Sequence, residues 1–179
     1  VGSNAIRMVI GQIDDNGNVE HLEDLQRAVP LGQDSFSDGK ISTPTINLAI
    51  EVLRGFQQIL EPYHVEQMRA VATSAVREAA NADLFIERVF AATGISVEVI
   101  SGSEQDRLIY AAVRRALQNE NITVDQDMLI AEIGSGSLEI SVLKDGEVVH
   151  SGSYALGSIR LRNAIRPAHR SDAESGELM

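Results

Sequence analysis

Apolar and polar positions follow two periods along this chain. The apolar, β-branched run from Asn4 to Ile13 predicts a strand, and Asp14-Asp15-Asn16-Gly17 predicts a hairpin turn. Val19–Val29 reads as the return strand, closed by Pro30-Leu31-Gly32, and the polar stretch Gln33–Gly39 reads as a loop. Ser42-Thr43-Pro44 supplies an N-cap with proline in the first turn. Ile46, Ala49, Ile50, Leu53, Phe56 and Leu60 then recur at helical spacing, so 44–61 is an amphipathic helix stopped by Pro62. A short buried strand is expected over Met68–Thr73. A helix opens at Asn81-Ala82-Asp83, with Leu84, Phe85, Val89 and Phe90 on its apolar face, and ends at Gly94. Ile95–Ile100 predicts a strand. Ser103-Glu104 starts a helix to about Gln118, with Leu108, Ile109, Ala112, Val113 and Leu117 turned inward. Strands follow at Met128–Ile133 and Leu138–Leu143, then a Lys144-Asp145-Gly146 turn and a return strand over Glu147–Ser153. Ile159–Ile165 starts a helix, and 166–179 is a polar tail.

An internal repeat organises these elements. Val1-Gly2-Ser3-Asn4-Ala5-Ile6-Arg7-Met8 lies without a gap over Ile133-Gly134-Ser135-Gly136-Ser137-Leu138-Glu139-Ile140. Each copy continues through a strand, a turn ending in glycine (Gly17, Gly146), a return strand and Leu-Gly (Leu31-Gly32, Leu156-Gly157). Two matched Gly-Ser pairs arise easily by chance; the whole ordered series does not. The first copy runs on to about residue 119, whereas only 22 residues follow Gly157. The expectation is one complete domain over 1–119 and the truncated start of a second over 120–179, with the first turn also cut at Val1.

Composition narrows the function. There is no cysteine, so disulfides, thiolate catalysis and zinc–thiolate sites are excluded. The four histidines are scattered, with no pair at i, i+4. Tryptophan is absent and aromatics are 4%, which argues against base-stacking platforms. No apolar run approaches the ~18–20 residues of a membrane span, and no signal peptide opens the chain, so a cytoplasmic location is expected. With 15 Lys and Arg against 26 Asp and Glu, the net charge of −11 repels DNA, RNA and anionic membranes. An anionic substrate would need a local device: backbone N–H groups, a few arginines or a metal.

The two glycine turns offer such a device. A Gly-rich turn between strands aims several backbone N–H groups at one point and forms an anion nest suited to phosphate. Glycine keeps side chains from blocking the approach. One such turn alone is more often a plain hairpin; the matched pair carries the argument. Ser3, Asn4, Ser135 and Ser137 add further donors. Glu132 and Glu139 flank the second turn. Carboxylates beside a phosphate nest make sense if they hold a hard cation such as Mg²⁺; otherwise each is a solvated surface charge.

The chain also resembles a known family. Val1-Gly2-Ser3-Asn4, Ala72-Thr73-Ser74-Ala75-Val76-Arg77-Glu78-Ala79, Val99-Ile100-Ser101-Gly102-Ser103-Glu104, Arg107-Leu108-Ile109-Tyr110 and Glu132-Ile133-Gly134-Ser135-Gly136-Ser137 occur in the order seen in Ppx/GppA phosphatases, the exopolyphosphatases and guanosine pentaphosphate phosphohydrolases. The resemblance covers essentially the whole chain. It implies an α/β fold of the actin-like, sugar-kinase and Hsp70 type, two ribonuclease-H-like domains around a phosphate cleft, and a homodimer formed through a missing C-terminal part. It further implies a first phosphate loop at Gly2, Ser3 and Asn4, whose usual leading Asp is not in this chain, and a phosphate-binding arginine at Arg77. The second loop maps to Gly134, Ser135, Gly136 and Ser137, with Mg²⁺ near Glu132 and Glu139; Asp has become Glu132, a Gly has become Ser135, and a Thr has become Leu138.

The family's catalytic base is the second Glu of Gly-x-Glu-Glu-Ala-Arg-Leu, here Gly102-Ser103-Glu104-Gln105-Asp106-Arg107-Leu108. The base position is therefore Gln105, and an amide cannot take a proton from the attacking water. Three readings stand open: a non-hydrolysing protein that still binds the ligand, replacement of the base by Glu104 or Asp106, or weak activity through positioning and metal alone. Glu104 also sits in a first helical turn, where an acid suits the helix dipole, and Arg107 is equally suited to a structural ion pair. The resemblance implies hydrolysis of terminal phosphoanhydride bonds of polyphosphate or guanosine pentaphosphate. A silent polyphosphate- or nucleotide-binding module and an actin-like ATP-binding kinase or ATPase are the rivals.

Overall fold

A computed structural model of the chain describes residues 1–14, 19–122 and 127–165. Most of the expected Asp14–Gly17 turn and the expected polar tail lie outside the described residues. The chain divides into two compact units, one of Val1–Ser101 and one from Gly102 onward.

The first unit opens with an antiparallel hairpin, β1 (Ala5–Ile13) and β2 (Val19–Ala28), whose register shifts at Ile10/Gly11. Helix α1 (Leu31–Asp38) occupies the stretch expected to be a loop. Its polar composition hides a structural signal: Leu31, Gly32 and Ser35 are buried along one side, and Gly39 closes it in the left-handed conformation. Helix α2 (Thr43–Leu60) starts as predicted, with the Ser42 side chain accepting from the Thr45 N–H. A single 3₁₀ turn at Glu61–Tyr63, containing Pro62, ends it. Strands β3 (Ala70–Ala72) and β4 (Val97–Val99) pair in parallel and are shorter than predicted; Met68 lies outside, exposed. The four-residue helix α3 (Ser74–Arg77), not foreseen from the sequence, follows β3 directly.

Helix α4 (Ala82–Thr93) ends at Gly94 as expected, but only Phe85 and Val89 of its supposed apolar face are buried. Leu84 and Phe90 are exposed, because each lies about 100° round the helix from the buried stripe. Asn81 does not cap α4 with its side chain; it makes a two-point bond to the Ile41 backbone, both contacts at 2.8 Å. The core joins Ile6, Val29, Leu31, Ile46, Leu53, Phe56, Val76 and Phe85. Burial of side chains of this size contributes about 1.5–3 kcal/mol each.

The second unit contains α5 (Gly102–Asn119) and a three-stranded antiparallel sheet of β5 (Met128–Ile133), β6 (Leu138–Lys144) and β7 (Glu147–Tyr154), ordered β5-β6-β7. The β6–β7 turn places Asp145 at φ 50° and Gly146 at φ 79°, the two successive positive values of a type I′ hairpin. Tyr110 of α5 reaches this turn and donates to the Gly146 carbonyl at 2.9 Å. No residue of α5 is fully buried, and Ala112 is exposed rather than inward. Helix α6 (Ser158–Ile165) closes the described chain. Among the described residues no helix is long and apolar enough to cross a membrane.

The repeat read from the sequence has a physical counterpart. The Gly2 N–H donates to the Ala5 carbonyl at 3.0 Å, and the Gly134 N–H donates to the Ser137 carbonyl at 2.9 Å. In each copy the glycine of Leu-Gly packs on the turn and a helix starts beside it. A Cβ on Gly32 would come within 2.8 Å of the Ser3 Cβ, and one on Gly157 within 2.3 Å of the Gly136 carbonyl carbon. The second approach is to backbone and cannot be relieved by a rotamer change. Gly157→Ala should therefore destabilise the second unit by at least about 2 kcal/mol in urea titrations. Gly55→Ala, in α2 with nothing within 4 Å of the new methyl, should instead stabilise the chain by about 0.5–1 kcal/mol.

Candidate functional site

In the first unit, Ser3 of the glycine turn is buried and its Oγ lies 3.0 Å from the Ser74 Oγ. This contact ties the turn to the start of α3. Arg77 ends that short helix, and its Nη1 donates to the Ile100 carbonyl at 2.9 Å. One arm of the guanidinium is thus fixed to main chain. The Ser3 carbonyl accepts from the Gly32 N–H at 2.6 Å and the Asn4 carbonyl from the Val29 N–H at 3.1 Å.

The turn of the second unit is held from one side. The Gly134 carbonyl accepts from the Ser158 N–H at 3.0 Å and the Ser135 carbonyl from the Ile159 N–H at 2.9 Å. The Gly136 carbonyl accepts from the Arg160 Nε at 2.6 Å. In a trans peptide the C=O and the following N–H point opposite ways. With three carbonyls drawn toward α6, the N–H groups of Ser135, Gly136 and Ser137 face away from it. None of the three donates to a backbone carbonyl among the described residues. These three successive N–H groups are the donors the turn could offer to an anion.

Beside the turn, β5 and β6 pair in a register that sets Glu132 opposite Glu139. Partners directly opposite share a face of the sheet. Glu139 is 3% exposed, and its Oε1 accepts from the Gln105 Nε2 at 3.1 Å and the Ser153 Oγ at 3.0 Å. Its Oε2 is buried without a hydrogen-bond partner, as is the Gln105 Oε1. Burial, and then the charge of Glu139, push the Glu132 carboxyl above the usual carboxylate range. Two facing carboxylates with an orphaned buried oxygen fit a hard divalent cation.

Glu104 forms a two-point ion pair with Arg107, at 2.7 and 2.9 Å. Arg107 is exposed and Glu104 partly so, so solvent screens the pair and it is worth little to stability, yet it occupies the Glu104 carboxylate. The structure therefore brings Gln105, Glu132 and Glu139 together beside Gly134–Ser137, and ties Arg77 and Ser3 to α3 in the other unit. Arg160 and Ser153 were missed by sequence reasoning.

These motifs place the chain among known proteins. A model of the Ppx/GppA phosphatase family matches residues 9–177. The chain belongs to the Ppx/GppA phosphatase family. It is 31% identical over 168 residues to Exopolyphosphatase 2 of Mycobacterium tuberculosis, covering 89% of this chain and 51% of that protein. Among solved structures, an exopolyphosphatase from Cytophaga hutchinsonii aligns with a TM-score of 0.84 at 29% identity, over 92% of this chain and 51% of that one. A Ppx/GppA phosphatase of Aquifex aeolicus aligns with a TM-score of 0.72 at 31% identity, over 92% and 53%. The chain thus spans about half the length of the family members it matches. Its fold is the actin-like, ribonuclease-H-like α/β fold of these Ppx/GppA proteins.

The raised Glu132 carboxyl has a consequence for stability. The folded chain holds that proton to higher pH than the unfolded chain does, so stability is lost as pH rises above the ordinary carboxylate value. Without added metal, Glu132→Gln should melt higher than the unmodified chain at pH 7. The difference should shrink toward pH 4. Equal melting temperatures at pH 7 would contradict the electrostatic coupling.

Proposed function

We propose that this Ppx/GppA chain belongs to a hydrolase acting on terminal phosphoanhydride bonds, with inorganic polyphosphate or guanosine pentaphosphate as the substrate class. The observation that carries the reading is the second turn, where α6 holds three successive carbonyls and leaves the N–H groups of Ser135–Ser137 facing away from it, beside paired carboxylates. On an acidic chain this is the kind of local device that lets an anion bind. The exopolyphosphatases among its relatives support the same substrate class.

The reaction is attack of a water oxygen on the terminal phosphorus. The bridging P–O bond breaks, its electron pair stays on the shortened chain, and the water proton passes to a base. In the second unit the backbone N–H groups of Ser135–Ser137 stabilise charge on the equatorial oxygens, and in the first unit the Gly2–Asn4 turn and Arg77 offer phosphate donors of their own. Glu132 and Glu139 would hold Mg²⁺, which supplies neutralisation of charge on the phosphoryl oxygens. Gln105 is fixed by its bond to Glu139, in the segment where the family keeps its base, but accepts no proton from water. That observation favours a second reading, a weak or silent protein that binds the same ligands.

The test measures phosphate release from polyphosphate and from guanosine pentaphosphate by the full chain, at fixed Mg²⁺. Slow turnover with firm binding is expected, and Gln105→Glu should raise turnover, by up to the ~10²–10⁴-fold that general-base assistance supplies. The new carboxylate would face Glu139 where the amide now donates, so the gain should appear only with Mg²⁺ present. Brisk turnover unaffected by Gln105→Glu but abolished by Asp106→Asn would place the base elsewhere. No turnover in either form, with tight binding in both, would establish the binding reading.

A further inference from the structure

The two glycine turns are fastened differently. In the first, the second and third residues, Ser3 and Asn4, have their carbonyls held by backbone donors, the N–H groups of Gly32 and Val29. In the second, the corresponding Ser135 carbonyl is held by the Ile159 N–H, but the Gly136 carbonyl is held by a side chain, Arg160 Nε at 2.6 Å. Gly136, like Gly134, has no side chain to restrain its dihedral angles. Without a fixed donor on its carbonyl, the orientation of the plane joining Gly136 to Ser137 rests on packing against Gly157. Tilting of that plane would turn the Ser137 N–H away from the direction of the Ser135 and Gly136 N–H groups.

We infer that Arg160 is a positioning residue for the second phosphate nest: by holding the Gly136 carbonyl it aims the Ser137 N–H at the phosphate. Arg160 sits on the first turn of α6, immediately after the two residues whose N–H groups anchor the turn. It is half-buried, and its bond goes to main chain. The role therefore differs from that of a phosphate-binding arginine: the guanidinium acts on the backbone and the backbone acts on the anion. A charge-assisted hydrogen bond of this kind holds a peptide plane more firmly than a neutral one. The inference rests on the proposed phosphate chemistry of the turn.

The experiment uses the full chain, inorganic tripolyphosphate as the probe, and the backbone amide signal of Ser137 in ¹⁵N-labelled protein. Arg160→Met removes the donor and the charge. Arg160→Lys keeps a charged donor. Arg162→Met removes an equal charge from an exposed position on the same helix. Arg160→Met should weaken tripolyphosphate binding by about tenfold or more, the loss expected for one hydrogen bond to a charged group. It should also shift the Ser137 amide in the free protein and abolish the further shift on ligand addition. Arg160→Lys should keep the Ser137 signal near its original position and most of the affinity, and it carries the test if the Met variant does not fold. Arg162→Met should change affinity by less than about threefold, since an exposed charge acts only through screened electrostatics.

Equal weakening by Arg160→Met and Arg162→Met would overturn the inference in favour of plain charge. So would an unchanged Ser137 amide in folded Arg160→Met, or a Lys variant as weak as the Met variant. If the unaltered chain binds no tripolyphosphate, the proposed function fails, while the Ser137 amide of the free variants still decides whether Arg160 sets the turn.

Discussion

The start of α6 and the Gly134–Ser137 turn are one structural object. The first N–H groups of a helix have no partner inside it. Here Ser158 and Ile159 spend theirs on two carbonyls of the turn. That exchange satisfies the helix end and, in the same stroke, rotates the turn so that its own N–H groups face outward. It demands a very close approach, which only a residue without a side chain at position 157 permits. The first unit repeats the arrangement with Gly32 against Ser3. The turn therefore depends on a glycine 20 or more residues away in sequence, and on the hairpin between them having the length that returns the chain to its starting point.

This dependence explains why the repeat was legible. The Gly turn, the hairpin and the Leu-Gly pair must all be kept for the object to close, so the series stands out even where single motifs are weak. The Glu132–Glu139 pairing was legible for a related reason: a tight turn at 134–137 fixes the register of the strands it joins. Helix α1 was illegible because its eight residues bury only Leu31, Gly32 and Ser35, and a stripe that short and polar resembles a loop. Leu84 and Phe90 misled because hydrophobic residues flank the true stripe of α4 on adjacent faces. In α5 the periodicity was real, yet its apolar side is only half-buried, so period did not translate into depth.

Arg160 shows a different limit. A side chain bonding a carbonyl 24 residues away follows no fixed spacing, and nothing in the local sequence distinguishes it from Arg162 two positions on. Only the observation that a third carbonyl of the turn needed a donor picks it out. Glu104 and Arg107 illustrate the opposite case. An acid and a base three apart on a helix meet by geometry alone, and they do.

Glu139 is almost wholly buried, and a buried carboxylate requires compensation. Here two hydrogen bonds, from an amide and a hydroxyl, serve one oxygen, and the other oxygen has none. A carboxylate at 105 would replace a donor by a second negative charge at hydrogen-bonding distance, beside a Glu132 already pushed toward protonation by burial and by Glu139. Three carboxylates gathered there would need a cation simply to remain ionised together. The amide relaxes that requirement: it lets Glu139 stay buried with a neutral partner, while itself accepting no proton. An amide at 105 thus makes the unloaded site electrostatically easier to fold.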